Sequence, residues 1–187
     1  MTLYKNKYRI ESIRLQNYDY SDNGYYFVTI CTQQKFCYFG DIVKAQMQLS
    51  QVGKIAQKHW QEIPEHFSYV YLDQYVVMPN HIHGIIVIDN AHKSRRDVAC
   101  YVSTSDRDIN HTMAELSPKS GSLSAIIRSY KSSVTRWCRQ NGDEEFRWQT
   151  RFYEHIIRNE RALNNIRQYI INNPAKWSED INYKTQD

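Results

Sequence analysis

The sequence has no CxxC pair, and its four cysteines, Cys31, Cys37, Cys100 and Cys138, show no metal-type spacing. That pattern fits reduced thiols in a cytoplasmic protein rather than a disulfide scaffold. No apolar run is long enough to cross a bilayer, and Met1–Lys7 has no apolar core of signal-peptide length. Neither secretion nor membrane insertion is expected. A GxSxG elbow is missing, which argues against that class of serine hydrolase. HExxH is missing too, as is the CxxC partner that a zinc deaminase needs. There is no internal repeat. Charge of one sign is scarce: 24 basic and 20 acidic residues leave +4. A mildly basic chain is compatible with a polyanionic partner and does not specify one.

What is present is concentrated in Val76-Val77-Met78-Pro79-Asn80-His81-Ile82-His83-Gly84-Ile85-Ile86-Val87. An apolar, β-branched run after a Pro-Asn turn predicts a buried strand. Side chains alternate along a strand, so His81 and His83 share one face while Ile82 and Gly84 share the other. Two imidazoles side by side on stiff backbone make half of a divalent-metal site. The alternative is a pair of buried histidines hydrogen-bonded to their neighbours.

The length of 187 residues suggests one domain with a proper core. Along the chain, Tyr25–Thr32 reads as a strand, Phe36–Val43 as a shorter one, and Gln46–Leu49 as its partner. Ser50 is placed to cap a helix running to about Ile63 and closed by Pro64. Tyr69–Met78 and His81–Ile88 form a tight antiparallel pair. Residues 89–120 are polar and irregular and read as a mobile insertion whose basic run Lys93-Ser94-Arg95-Arg96 touches a partner. Ser122 to about Gln140 is the clearest helix. Its apolar stripe includes Ile126, Ile127, Tyr130 and Val134; Arg128, Arg136 and Arg139 lie opposite, with Lys131 at the flank. Arg151–Arg158 predicts a strand, and Asn159 caps a last helix from Glu160 to Asn172 or Asn173, stopped by Pro174. Everything after Trp177 reads as a polar tail.

Two helical tyrosines stand apart by position. Tyr130 falls inside its apolar stripe and is assigned to the core. Tyr169 sits at the edge of the stripe made by Leu163, Ile166 and Ile170, where its phenol can lean over a sheet. Asn173, four residues on, shares its face at roughly 6 Å. An interfacial tyrosine with a hydrogen-bonded hydroxyl is the alternative for Tyr169.

The string Met78-Pro79-Asn80-His81-Ile82-His83-Gly84 resembles the HUH motif of single-tyrosine transposases of the IS200/IS605 type. The blocks Arg14–Tyr20, Trp148–Asn159 and Tyr169–Pro174 resemble the subgroup called REP-associated tyrosine transposases. The likeness runs from about Arg14 to Trp177. It implies an α+β fold, an antiparallel sheet with helices packed on it, in the ferredoxin-like or RRM-like architecture of HUH endonucleases. It implies that His81 and His83 bind Mg²⁺ or Mn²⁺, that Asn173 adds a polar ligand, and that Tyr169 is the nucleophile. His155 matches a position near the site. The activity implied is cleavage and joining of single-stranded or hairpin DNA through a 5′-phosphotyrosine, with no need for ATP. From charge alone, Arg128, Lys131, Arg136, Arg139, Arg151 and Arg158 are candidate DNA contacts. The wider family acts as dimers and the REP-associated kind can act alone, so monomer and homodimer both stay open. Two rival readings are a repeat-DNA-binding protein without catalysis and an RNA-binding module of similar architecture. The second predicts exposed aromatics on the sheet and no metal dependence.

Overall fold

The computed structural model describes Leu15, residues 18–92 and residues 118–183, together with a short strand pair, Leu3–Tyr4 with Lys7–Tyr8. The expected insertion at 89–120, with its basic run, therefore falls largely outside the described residues, as do the last four residues.

The elements that position the site are β1 (Gly24–Cys31), a small hairpin of β2 (Gly40–Val43) and β3 (Gln46–Leu49), and α1 (Gln51–Gln61). They continue with β4 (Val70–Val77), β5 (His81–Ile88), α2 (Leu123–Gln140), β6 (Tyr153–Ile157) and α3 (Glu160–Asn172). The main sheet is antiparallel with strand order β4-β5-β1-β6. With α1 and α2 as the two crossovers, this is the ferredoxin-like order expected from the sequence.

Local chemistry accounts for the boundaries. The Ser50 hydroxyl accepts from the Gly53 amide at 3.0 Å and Asn159 Oδ1 from the Ala162 amide at 2.8 Å, so both expected caps start their helices. Pro64 does not simply end α1: it sits in the first turn of a short helical segment, Ile63–His66, where its missing N–H costs nothing. Of the expected strand at Phe36–Val43, only Gly40–Val43 pairs as a strand.

Both faces of the sheet are covered. Tyr26, Val28 and Ile30 of β1 and Ile82 and Ile86 of β5 meet Ala56 and Trp60 of α1 and Ile126, Tyr130 and Val134 of α2. Tyr130 is 2% exposed, and its hydroxyl donates to the Ala56 carbonyl at 3.0 Å, so it belongs to the core. On the opposite face Phe27, Ile85 and Ile157 pack under Leu163 and Ile170 of α3. A strand pair buried on both sides explains the nearly continuous apolar runs in β1 and β5.

Gly84 is where the two layers come closest. A Cβ there would lie 2.3 Å from Cζ2 of Trp60, which is fully buried. Gly84→Ala therefore forces the indole or the strand to move, although this exchange ordinarily stabilises a strained-free backbone slightly. The expected cost is ~1–3 kcal/mol, read as a lower urea midpoint; an unchanged or raised midpoint would show that Trp60 does not pin the sheet to α1.

Candidate active site

The register of β1 on β5 sets Thr29 opposite His83 and Cys31 opposite His81. Both imidazoles thereby face α3, with ring centroids 4.4 Å apart, and both are almost fully buried. Each ring is oriented through Nδ1. His81 Nδ1 lies 2.8 Å from Asn80 Oδ1, which only accepts, so Nδ1 carries the proton and Nε2 presents a lone pair. His83 Nδ1 is 2.9 Å from the Thr29 hydroxyl. Burial, reinforced by the neighbouring His83, holds the His81 pKa well below its ordinary value, so the ring stays neutral. Among the described residues its buried Nε2 has no hydrogen-bond partner, which is costly unless something binds there.

From α3, the Tyr169 hydroxyl reaches to 3.2 Å from His83 Nε2 while the residue stays 45% exposed. Asn173, at the end of α3, is buried; its Nδ2 is bonded and its Oδ1 has no partner. The helix is held down by Arg167, whose guanidinium makes a two-pronged pair with Asp73 of β4 at 2.9 and 2.6 Å. Asp73 precedes Gln74 at a register break between β4 and β5, where the bulge turns its carboxylate toward α3.

The segment expected to be a polar tail instead folds back over the histidines. Pro174–Glu179 forms a 3₁₀ turn. The Trp177 ring then lies 5.9 Å from that of His81. Asp180 turns inward: its Oδ2 lies 3.7 Å from His83 Nε2, 4.0 Å from His81 Nε2, 3.4 Å from the Tyr169 hydroxyl and 3.0 Å from Asn173 Nδ2. Asn80 clamps the segment, donating through Nδ2 to the carbonyls of Asn182 at 2.9 Å and Lys35 at 3.0 Å. Lys35 Nζ in turn donates to the Ile181 carbonyl at 2.7 Å. Sequence reasoning missed Asp180. The one available signal was Trp177, a large aromatic residue that a solvated tail does not need.

The charges are set by this packing. Burial opposes ionisation of Asp180, but the nearby His83 ring and the hydrogen bonds from the Asn182 amide and Asn173 outweigh it and hold the carboxyl well below the usual range. Burial, then the charge of Asp180, pushes the Tyr169 phenol up to about 12. His81, His83 and Asp180 each offer a ligand atom, all within 4.8 Å of one another, and could hold a metal ion. Two imidazoles and one carboxylate, with an orphaned Nε2 among them, suit a divalent cation.

Of the other expected site residues, Arg128, Lys131 and Arg151 line a cleft that opens from Tyr169, and Arg136 and Arg139 line an adjoining groove. Lys131 is not a solvated flank: its Nζ donates to the carbonyls of Gln149 at 2.7 Å and Arg151 at 3.0 Å. Burial lowers its pKa to about 8. His155 is exposed on β6 opposite Phe27, and no described hydrogen bond or ring contact joins it to the histidine pair. Arg158 is exposed beyond the far end of β6, lining neither groove.

With the geometry in place, comparison with known proteins becomes informative. No family model matches the chain. An uncharacterized protein of Haemophilus influenzae is 39% identical over 172 residues, covering 92% of each chain. The chain belongs to one family with that protein. A solved structure of a REP-associated tyrosine transposase bound to a REP hairpin superposes with a TM-score of 0.54 at 18% identity, over 90% of this chain and 74% of that one. The fold is therefore that of a REP-associated tyrosine transposase. No helix among the described residues is long and apolar enough to cross a membrane.

The Arg167–Asp73 pair makes a testable claim about α3. Arg167→Ala should lower the urea midpoint modestly, as for a partly exposed pair, and raise hydrogen exchange in α3. The Arg167 guanidinium holds the Asp73 carboxyl below its usual range. The stabilisation is thus complete above the ordinary Asp pKa of ~3.9 and fades as pH falls through the depressed value. The difference in urea midpoint between the two chains should accordingly shrink in acid; a constant difference would refute the ion pair as its cause.

Proposed function

We propose that this protein is a divalent-metal-dependent, single-tyrosine DNA strand transferase of the REP-associated kind, acting on single-stranded or hairpin-bearing DNA. The observation that carries the reading is the meeting of Tyr169 with His83 Nε2 at 3.2 Å and with Asp180 Oδ2 at 3.4 Å, from elements far apart in the chain. A structural tyrosine needs one hydrogen-bond partner; it does not need a buried imidazole pair and a buried carboxylate beside it.

In this reading His81, His83 and Asp180 hold Mg²⁺ or Mn²⁺, and Asn173 Oδ1 is a fourth donor. The cation, when bound, draws charge from a phosphate oxygen and reverses the local field that now disfavours a phenolate. Asn80 and Thr29 hold the two rings in the tautomer and orientation that ligation requires. Tyr169 oxygen bonds to phosphorus, and the bond from phosphorus to the 3′-oxygen breaks. The 5′-phosphate stays on the tyrosine, the phenolic proton is lost to solvent or a neighbouring acceptor, and the departing strand ends as a 3′-hydroxyl. Because the new ester replaces the old one, attack by another 3′-hydroxyl restores a phosphodiester and frees Tyr169. Arg167 docks α3 on the sheet of its own chain, which supports a site completed by one molecule.

Burial of Phe27 and Ile85 beneath α3 weighs against an RNA-binding module, because such modules read bases on open central strands. The non-catalytic rival is separated by experiment. Incubated with hairpin oligonucleotides and Mn²⁺, the chain should give a covalent protein–DNA band on a denaturing gel, and Tyr169→Phe should abolish it. No band across a varied set of hairpins would favour binding without catalysis. In a separate calorimetric titration of the metal-free chain, Asp180→Ala should weaken Mn²⁺ binding by at least ~10–100-fold, the range for losing even a supporting group. Unchanged affinity would remove Asp180 from the ligand set.

A further inference from the structure

The cleft that begins at Tyr169 does not stop at the site. It encloses about 970 Å³ and runs from His83 and Tyr169, past Tyr153, to Arg128 and Lys131. It can do so because, among the described residues, β6 is the outer strand of the sheet and only five residues long, so the cleft turns round its edge onto α2. Lys131 also lines a second groove, of about 510 Å³, shared with Arg136 and Arg139. The two hollows therefore meet at one side chain. The bonds from Lys131 to the Gln149 and Arg151 carbonyls fix the loop that forms the wall between them.

Tyr153 stands midway along this path. It is large, aromatic and 49% exposed. Its ring meets Phe27 edge-on at 6.3 Å and 70°, and Phe27 stacks on His83 at 5.4 Å and 26°. The open face of Tyr153 is thus held at a fixed position relative to the reacting tyrosine's neighbour. An exposed aromatic ring joined to a cationic groove is the arrangement that single-strand binders use, with bases stacking on rings and phosphates following basic side chains. A base inside a duplex has both faces covered by its neighbours, whereas an unpaired base has a face free for such a ring.

We propose that an unpaired base flanking the point of cleavage stacks on Tyr153, and that the strand then passes round the edge of β6 to Arg136 and Arg139 on α2. This rests on the strand-transferase reading for what lies in the cleft, and it adds the path and the residue that positions the strand. Tyr153 is a positioning residue; it touches no reacting atom.

The test uses the full chain carrying Tyr169→Phe, so that bound DNA stays intact, and hairpin oligonucleotides with an abasic site moved stepwise through the unpaired arm. At one arm position the abasic site should weaken binding about tenfold, the loss expected for one stacked base. Tyr153→Ala should weaken binding of the intact oligonucleotide by the same factor, with no further loss from the abasic site, while Tyr153→Phe restores both. Losses that simply add at every position would overturn the proposed path. So would a chain that binds none of these oligonucleotides. Covalent capture by the chain retaining Tyr169, run alongside with Mn²⁺, keeps the two readings apart. Capture with additive losses sinks only the path, and no capture with a Tyr153-dependent base position sinks only the catalysis.

Discussion

Thr29 faces His83 across the central strand pair, and Cys31 faces His81. A slip of one residue in that register would turn both imidazoles toward α1 and α2 and carry Ile82 and Gly84 into the site. Nothing else in the site survives such a slip, because the Thr29 hydroxyl, the Asn80 amide and the Tyr169 phenol all address the rings from fixed positions. The register is held by the two-sided burial of β1 and β5 and by the close approach of Trp60 to Gly84. The packing of the core thereby fixes the geometry of the site on the opposite face.

The second constraint is closure from the far end of the chain. Asn80, fully buried beside His81, spends its amide on both partners at once: the carbonyl side orients the ring, and the amino side holds the carbonyls of Lys35 and Asn182. That places Asp180 within reach of both Nε2 atoms. Three buried polar side chains, those of His81, His83 and Asp180, would be unfavourable in an apolar setting without partners. Here each is bonded on one side and points inward on the other, which leaves a small polar hollow between strand, helix and C-terminal segment. Such an arrangement costs stability and is retained where chemistry needs it.

Electrostatics sort the surroundings. The phenol of Tyr169 is disfavoured as an anion by burial and by Asp180. Away from that carboxylate, the cleft wall passes to Arg128 and Lys131 and then to Arg136 and Arg139. Negative charge sits where a cation would be held, and positive charge where a phosphate chain would run. The strand transfer proposed above needs both, separated in space.

Much of this was legible in the sequence. The period-two run around His81 and His83 fixed their common face, the helical stripe put Tyr130 in the core and Tyr169 at an edge, and Ser50 and Asn159 marked helix starts. These are local patterns, governed by backbone geometry over a few residues. Asp180 was not legible, because an acidic residue in a polar segment has no periodicity to betray it. The surroundings of Lys131 were not legible either, because the carbonyls that tie its ammonium down lie 18 and 20 residues further along the chain. The sequence by itself determined which elements form and which side chains share a face. Only the tertiary structure decided that Asn80 would anchor the chain's last segment and deliver Asp180 to the histidines, since that contact spans 102 residues and depends on packing between parts that carry no mark of each other.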